Sequence, residues 1–200
     1  NWFDTIYHEH HDFHSLQQLL YFFKKYNCNI IDYKITKPQG GSLMLMIRKS
    51  KKFKIFNKIL KKIKIENDHN LYNFKKYKKI SDNLYFIKKE LNKILNQYFY
   101  SKKTICAYGS PTKSVTLLSF IKLNNKIIKY IYEDNNLKCN LYNPYYNIPI
   151  VHSDKITQHK PDVIFVLSLN FAKFIIKKVK KLSKRKIIFV VPLPKPYIIK

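Results

Sequence analysis

The sequence predicts an α/β protein. A parallel sheet with helices on both faces is expected over residues 101–200, and a helix with an antiparallel strand pair over residues 1–50. Three observations carry this reading. In the last hundred residues, apolar runs (TICAY, KIIKYIY, DVIFVLS, KIIFVV) alternate with helical segments, as strands do when crossover helices bury both sheet faces. In the first fifty, a helical period gives way to two β-rich runs split by a Pro/Gly turn. Between them, residues 51–100 carry apolar positions spaced by threes and fours, the period of a helical connector.

Each element has its own signal. Ser15 and Gln18 have capping-box spacing, and Leu16, Leu19, Leu20, Phe22 and Phe23 follow with helical period, so a helix is expected to about Tyr26. Asn27–Thr36 reads as a strand, Lys37–Gly41 as a turn and Ser42–Arg48 as an antiparallel partner strand. Lys51–Ile65 reads as a lysine-rich amphipathic helix. Leu71, Phe74, Tyr77, Ile80, Leu84, Ile87, Leu91, Ile94 and Tyr98 form one stripe on a helix of about 30 residues. That stripe packs on its own chain or forms a dimer seam, and the spacing suits both. Strands are then expected at Thr104–Tyr108, Lys126–Tyr132, Asp162–Ser168 and Lys186–Val191, with helices from Lys113 to Ile121 and from Phe171 to Lys181. Ligands of such sheets bind at the carboxyl ends of the strands. Those ends are Gly109–Lys113, Glu133–Asn136, Ser168–Asn170 and Pro192–Pro196.

Two hundred residues suffice for one domain or two small ones with a real core. No apolar run reaches the roughly 18 residues of a membrane span. The stretch NWFDTIYHEHH has no basic region followed by an apolar core, the mark of a signal peptide. The formal charge of +27 suits a nucleic-acid binder. Yet Arg48 and Arg185 are the only arginines, and lysine travels with Asn, Ile, Tyr and Phe, whose codons are AT-rich. Compositional drift is therefore the preferred explanation, with a basic nucleic-acid-binding module as the alternative. Against this background the scarce residues inform. Three glycines mark two special backbone places, Gly40-Gly41 and Gly109. Three cysteines without CxxC spacing suggest reduced, mostly buried thiols and a cytoplasmic location.

Two segments carry chemistry. In Gly109-Ser110-Pro111-Thr112-Lys113, Ser110 suits an N-cap and Pro111 the first helical position. The loop N–H groups are expected to hold a phosphate with Lys113 as counter-charge, or to make a plain strand–helix turn. The second is Tyr7-His8-Glu9-His10-His11-Asp12-Phe13-His14. Its carboxylates and imidazoles fit acid/base chemistry, a metal site or a polar surface.

FDTIYHEH followed by a helix, a strand, GGSL and another strand resembles the sugar C-methyltransferases that act on nucleotide-linked keto-deoxysugars. The second half resembles that family's C-terminal domain in order: Ala107-Tyr-Gly-Ser-Pro-Thr-Lys113, Thr116-Leu-Leu118, Glu133-Asp-Asn-Asn136, Ile148-Pro-Ile150, Pro161-Asp-Val163, Leu169-Asn170 and Pro192-Leu-Pro194. The chain departs from the family pattern at four places: Ser114 replaces a glycine, Leu169 a tryptophan, Lys138-Cys139-Asn140 a KQG triplet, and Gln39 a histidine.

The resemblance implies S-adenosylmethionine-dependent methylation of a carbon beside a sugar ketone. Tyr7, Glu9 and His10 are the implied active site, with His10 the general base and no metal. Gly109, Ser110, Lys113, Asp134 and Asn170 are the implied nucleotide-sugar site on a Rossmann-like domain. The implied domains are 1–50, the end of a methyltransferase domain; 51–100, a helical connector; and 101–200, substrate binding. With no glycine before Gly40, the glycine-rich loop that holds S-adenosylmethionine in this family has no counterpart here. The chain is thus expected to be the C-terminal portion of such an enzyme, to need a separate cofactor-binding chain, or to be an inactive remnant.

Overall fold

The computed structural model describes residues 3–37 and 41–200, so Gln39 and Gly40 lie outside the described residues. The chain folds as two compact units, Asn1–Glu9 with Ser81–Lys200, and His10–Ile80.

In the His10–Ile80 unit, α1 (Leu16–Lys25) begins at the expected capping box. Gln18 N–H donates to Ser15 Oγ (3.4 Å), and Ser15 N–H donates to Gln18 Oε1 (3.1 Å). The exposed N–H groups of a first turn attract anions. Here Glu66, near the end of α2 (Asn57–Asp68), accepts from Leu16 N–H (3.1 Å) and Gln17 N–H (3.3 Å). The Tyr72 hydroxyl completes the cluster, 2.8 Å from Ser15 Oγ and 2.9 Å from Glu66 Oε2. Strands β1 (Cys28–Thr36) and β2 (Ser42–Lys49) pair antiparallel, with a bulge between Ile30 and Asp32. Gly41 has the positive φ (125°) expected of the turn glycines. Leu16, Leu20, Ile30 and Ile59 are buried between the hairpin and the two helices.

One expectation is corrected in this unit. The helix expected from Lys51 starts at Asn57, because the buried Asn29 amide holds the chain extended before it. Asn29 Nδ2 donates to Lys52 O (2.9 Å), and Lys54 N–H donates to Asn29 Oδ1 (3.1 Å). Helix α3 (Phe74–Tyr100) follows. From Ser81 on the helix belongs to the larger unit, and its stripe from Leu84 to Tyr98 packs within that unit's core, with Ile87, Leu91 and Leu95 fully buried, so those positions serve the chain's own core rather than a dimer seam. Phe74, Tyr77 and Ile80 stay exposed.

The larger unit is a seven-stranded sheet in the order β5-β6-β4-β3-β7-β8-β9. Its parallel centre is β6 (Ile148–His152), β4 (Ile131–Glu133), β3 (Ile105–Tyr108), β7 (Val163–Val166) and β8 (Ile188–Val191). The edges β5 (Tyr142–Asn143) and β9 (Tyr197–Ile199) run antiparallel. From β3 the chain steps through α4 (Ser114–Ile121) to β4; from β7 it steps the other way through α6 (Ala172–Leu182) to β8. Right-handed crossovers in opposite directions put α4 and α6 on opposite faces. Helix α3 joins α4: the Tyr85 ring lies 5.9 Å from Phe120 and Lys88 Nζ 5.1 Å above it. The short α5 (Ile156–His159) packs beside α6.

Strand β4 is shorter than expected because Asn124 turns the chain first. Its Oδ1 accepts from Lys126 N–H (3.0 Å), and its carbonyl from Ile127 N–H (3.1 Å) and Ile128 N–H (2.9 Å). The cysteine expectation is corrected as well. All three are free thiols, but only Cys106 is buried; Cys28 and Cys139 are half-buried.

Glu66→Ala leaves two first-turn N–H groups without their acceptor and the part-buried Tyr72 hydroxyl with Ser15 Oγ alone. It should lower stability by about 1–3 kcal/mol, read by denaturant unfolding, with hydrogen-exchange protection lost first in α1.

Candidate functional site

The segment ahead of the histidine cluster is fastened along α4. Phe3–Thr5 form a single 3-10 turn, with the Phe3 ring 4.7 Å from Phe120. Asp4 Oδ2 and Lys113 Nζ form an ion pair at 3.3 Å, both side chains buried. Thr116 Oγ1 donates to the Ile6 carbonyl (2.9 Å). Beyond these anchors the Tyr7 hydroxyl donates to Glu9 Oε2 (3.2 Å). Loss of solvent, then the Glu9 charge and this hydrogen bond, push the Tyr7 phenol above its usual range. His8 and Glu9 are exposed and 3.9 Å apart. His10 is half-buried, its ring edge-on to Phe13 at 6.1 Å, and it begins the other compact unit. His10 and His14 both precede α1, so they lack the helical spacing of paired metal ligands. Among the described residues no three His, Cys, Asp or Glu side chains are grouped to hold a metal.

The carboxyl edge of the sheet carries the second group. The strand order reverses between β3 and β7, where such sheets open a crevice. Here Gly109 and Ser168 close it. Gly109 has φ of +90°, and a Cβ there would lie 2.0 Å from Ser168 Oγ and 2.6 Å from Ser168 Cβ. The next N–H, from Ser110, donates to Glu133 Oε2 (2.7 Å). Glu133 Oε1 also accepts from Asp134 N–H (2.8 Å) and Asn135 N–H (3.1 Å), while Lys138 Nζ donates to Ser110 O (2.8 Å). The N-cap expectation is therefore corrected. Ser110 does not cap α4, which starts at Ser114 with Lys113 in the cap position. The N–H and the ammonium expected to meet a phosphate are engaged by Glu133 and Asp4.

Asp134 lies at the next strand end and gathers three elements. Tyr108 O–H (2.9 Å), Ser153 O–H and the Lys178 ammonium of α6 all donate to it. Burial pushes its carboxyl up, but the bonds from Lys178, Ser153 and Tyr108 outweigh burial and hold it below the usual range. Burial likewise pulls Lys178 down, and its bonds to Asp134 and Tyr108 outweigh that and raise it. Asn170 stands exposed in the 3-10 turn Leu169–Phe171 after β7, on the far side of β3 from Asp134. Gly109, Ser110 and Asp134 thus meet on adjoining strand ends, and Lys113 faces the N-terminal segment. Sequence reasoning assigned no role to Asp4, Tyr108, Ser153 or Lys178, and named Glu133 only as part of a ligand-facing strand end. For the acids a signal existed: only 12 carboxylates stand in a chain of 39 basic residues.

A family model described as the C-methyltransferase C-terminal domain matches residues 37–194. The chain belongs to this C-methyltransferase family. The C-methyltransferase NovU of Streptomyces niveus is 26% identical over 200 residues, which is all of this chain and 48% of NovU. The chain therefore spans about half the length of that curated relative. Among solved structures, UDP-D-quinovosamine 4-dehydrogenase from Vibrio fischeri is similar at a TM-score of 0.35 and 17% identity, over 46% of this chain and 79% of that one. A likeness that low adds nothing to the C-methyltransferase fold described above.

Two outcomes follow from this geometry. Gly109→Ala should destabilise the larger unit by about 1–3 kcal/mol, and Ser168→Gly should recover only part of that, because the positive φ remains; thermal melts of both variants and the double variant measure it. Asp134 has a depressed folded-state pKa. Its contribution is whole above about pH 4 and is lost as pH falls through the folded value. Asp134→Asn should remove that part of the acid limb and cost about 1 kcal/mol at pH 7, a figure discounted for solvent screening of a side chain 41% exposed. Unfolding curves of wild type and variant between pH 2 and pH 7 check the sign.

Proposed function

We propose that this chain supplies the base and part of the substrate site of an S-adenosylmethionine-dependent C-methyltransferase acting on the carbon beside the ketone of a nucleotide-linked sugar. The observation that carries the reading is the Tyr7–Glu9 hydrogen bond, held in a segment fastened to the start of α4 at the carboxyl edge of the sheet. Family membership supports methyl transfer to carbon, and the ordered motifs from Tyr7 to Pro194 support the keto-sugar.

In this reading, unprotonated His10 takes the proton from the carbon beside the ketone. The C–H electron pair moves into the adjoining C–C bond, and the ketone oxygen becomes an enolate. Tyr7 keeps its proton at neutral pH; without substrate its O–H points to Glu9, and it turns from Glu9 to donate to the developing negative charge. The carbon so activated is the methyl acceptor. Asp134 and Asn170 are the strand-end residues left to the nucleotide-linked sugar in this reading; the Ser110 N–H is bonded to Glu133, and a phosphate role for Lys113 is not part of it.

The described residues do not fit the cofactor itself. The β3–α4 loop, where such a sheet would cradle a nucleotide, is filled by Ser168 and has given its Ser110 N–H to Glu133. We assign the donor site to the rest of a longer protein or to a separate chain, and no step above passes through it. Exposed lysines are spread over α2, α3 and α6, in both units, as drift in composition would leave them.

Proton abstraction can be read without a methyl donor. In D2O with a nucleotide-linked keto-deoxysugar, the protein should exchange the hydrogen beside the ketone, followed by proton NMR. His10→Gln should slow that exchange by about 100-fold or more. An undiminished rate in the variant would remove His10 from the role of base.

A further inference from the structure

Lys113 sits in the loop where a phosphate-binding cation is expected, yet it is only 8% exposed and pairs with Asp4, itself 1% exposed. The residues that bind the N-terminal segment are Lys113, Thr116 and Phe120, which take Asp4, the Ile6 carbonyl and Phe3. Their spacing of three and four places them on one flank of α4. The segment is therefore laid along a single helix face, and it emerges at Tyr7. A substrate phosphate that recruited Lys113 would have to break the pair and leave the Asp4 carboxylate buried without its counter-charge, which is costly. The neighbouring Ser110 N–H offers it nothing, being bonded to Glu133.

We propose that Lys113 is a positioning residue for the Tyr7–Glu9 pair and not a ligand of the substrate: by holding Asp4 it fixes the segment that presents both side chains. The inference rests on the proposed function for the meaning of Tyr7 and Glu9, but the tether itself does not.

The test uses the full chain with Asp4→Asn, Lys113→Met, the double variant, and the swap Asp4→Lys with Lys113→Asp. Without any substrate, hydrogen exchange at residues 5–9 should speed up about tenfold or more in each single variant, while β7 is unchanged. The double variant should be no faster than either single one, because one interaction is lost in all three. The Tyr7 ring signal, assigned by Tyr7→Phe in 13C-tyrosine-labelled protein, should titrate closer to ordinary tyrosine in the same variants. In the deuterium assay, Asp4→Asn should lower the rate at saturating keto-sugar nucleotide and leave its KM unchanged. Uridine diphosphate and thymidine diphosphate, measured by calorimetry, should bind Lys113→Met as well as they bind Asp4→Asn. Unchanged exchange at residues 5–9, or loss of nucleotide binding in Lys113→Met alone, overturns the proposal. If the single variants also unfold β7, the swap must restore protection at residues 5–9, and its failure to do so overturns the proposal too. A wild type with intact protection but no deuterium incorporation would refute the proposed function and leave the tether standing.

Discussion

A carboxylate withdrawn from water stays in a fold only where donors or a counter-charge satisfy it, and in this chain that requirement decides where the loops go. Glu66 takes the first N–H groups of α1. Asp162 accepts from Thr104 N–H (2.9 Å) and faces Arg185 Nη2 at 3.4 Å, tying together the starts of β3, β7 and β8. Glu133 and Asp134 do the same at the opposite edge, joining the ends of β3 and β4 to α6. Asp4 draws the N-terminal segment onto α4. With 12 acids against 39 basic residues, almost any lysine can find solvent, but each acid placed inside has a definite set of donors to meet. The net charge of +27 is thus a property of the surface, while these five acids, buried at Asp4 and Glu66 and part-exposed at the others, hold the loops around them.

What could be read from sequence is what is decided locally. The Ser15–Gln18 box is legible because both partners lie within one turn. The strands β3 and β7 are legible because every residue in them is buried, so hydrophobicity runs unbroken. Long-range partners hid the rest. Gly109 stood out as a scarce glycine, but the reason for it, the close approach of Ser168, lies on another strand. Asn29 delays α2 through bonds to residues that are distant in sequence. The edge strands β5 and β9 are too short to show a period and exist by pairing with β6 and β8. At the candidate site, the cluster from Tyr7 to His10 drew notice by composition, whereas Asp4, in the same motif, showed its role only once Lys113 was seen beside it.

The family match starts at residue 37, between β1 and β2, whereas similarity to NovU extends over the whole chain. Physical units divide the chain elsewhere, after Glu9 and after Ile80. A sequence boundary inside a hairpin cannot be a folding boundary, since β1 and β2 need each other's backbone groups. Nor does the sequence separation between Tyr7 and the sheet measure their independence. Phe3, Asp4 and Ile6 spend an aromatic contact, a buried charge pair and a hydrogen bond on α4, enough to make residues 3–9 part of the sheet-containing unit. The Tyr7–Glu9 pair is therefore carried by the unit that holds the carboxyl-edge loops, while His10 begins the next. The candidate base and the side chains expected to assist it belong to different compact units, and the one peptide bond between Glu9 and His10 joins them in sequence.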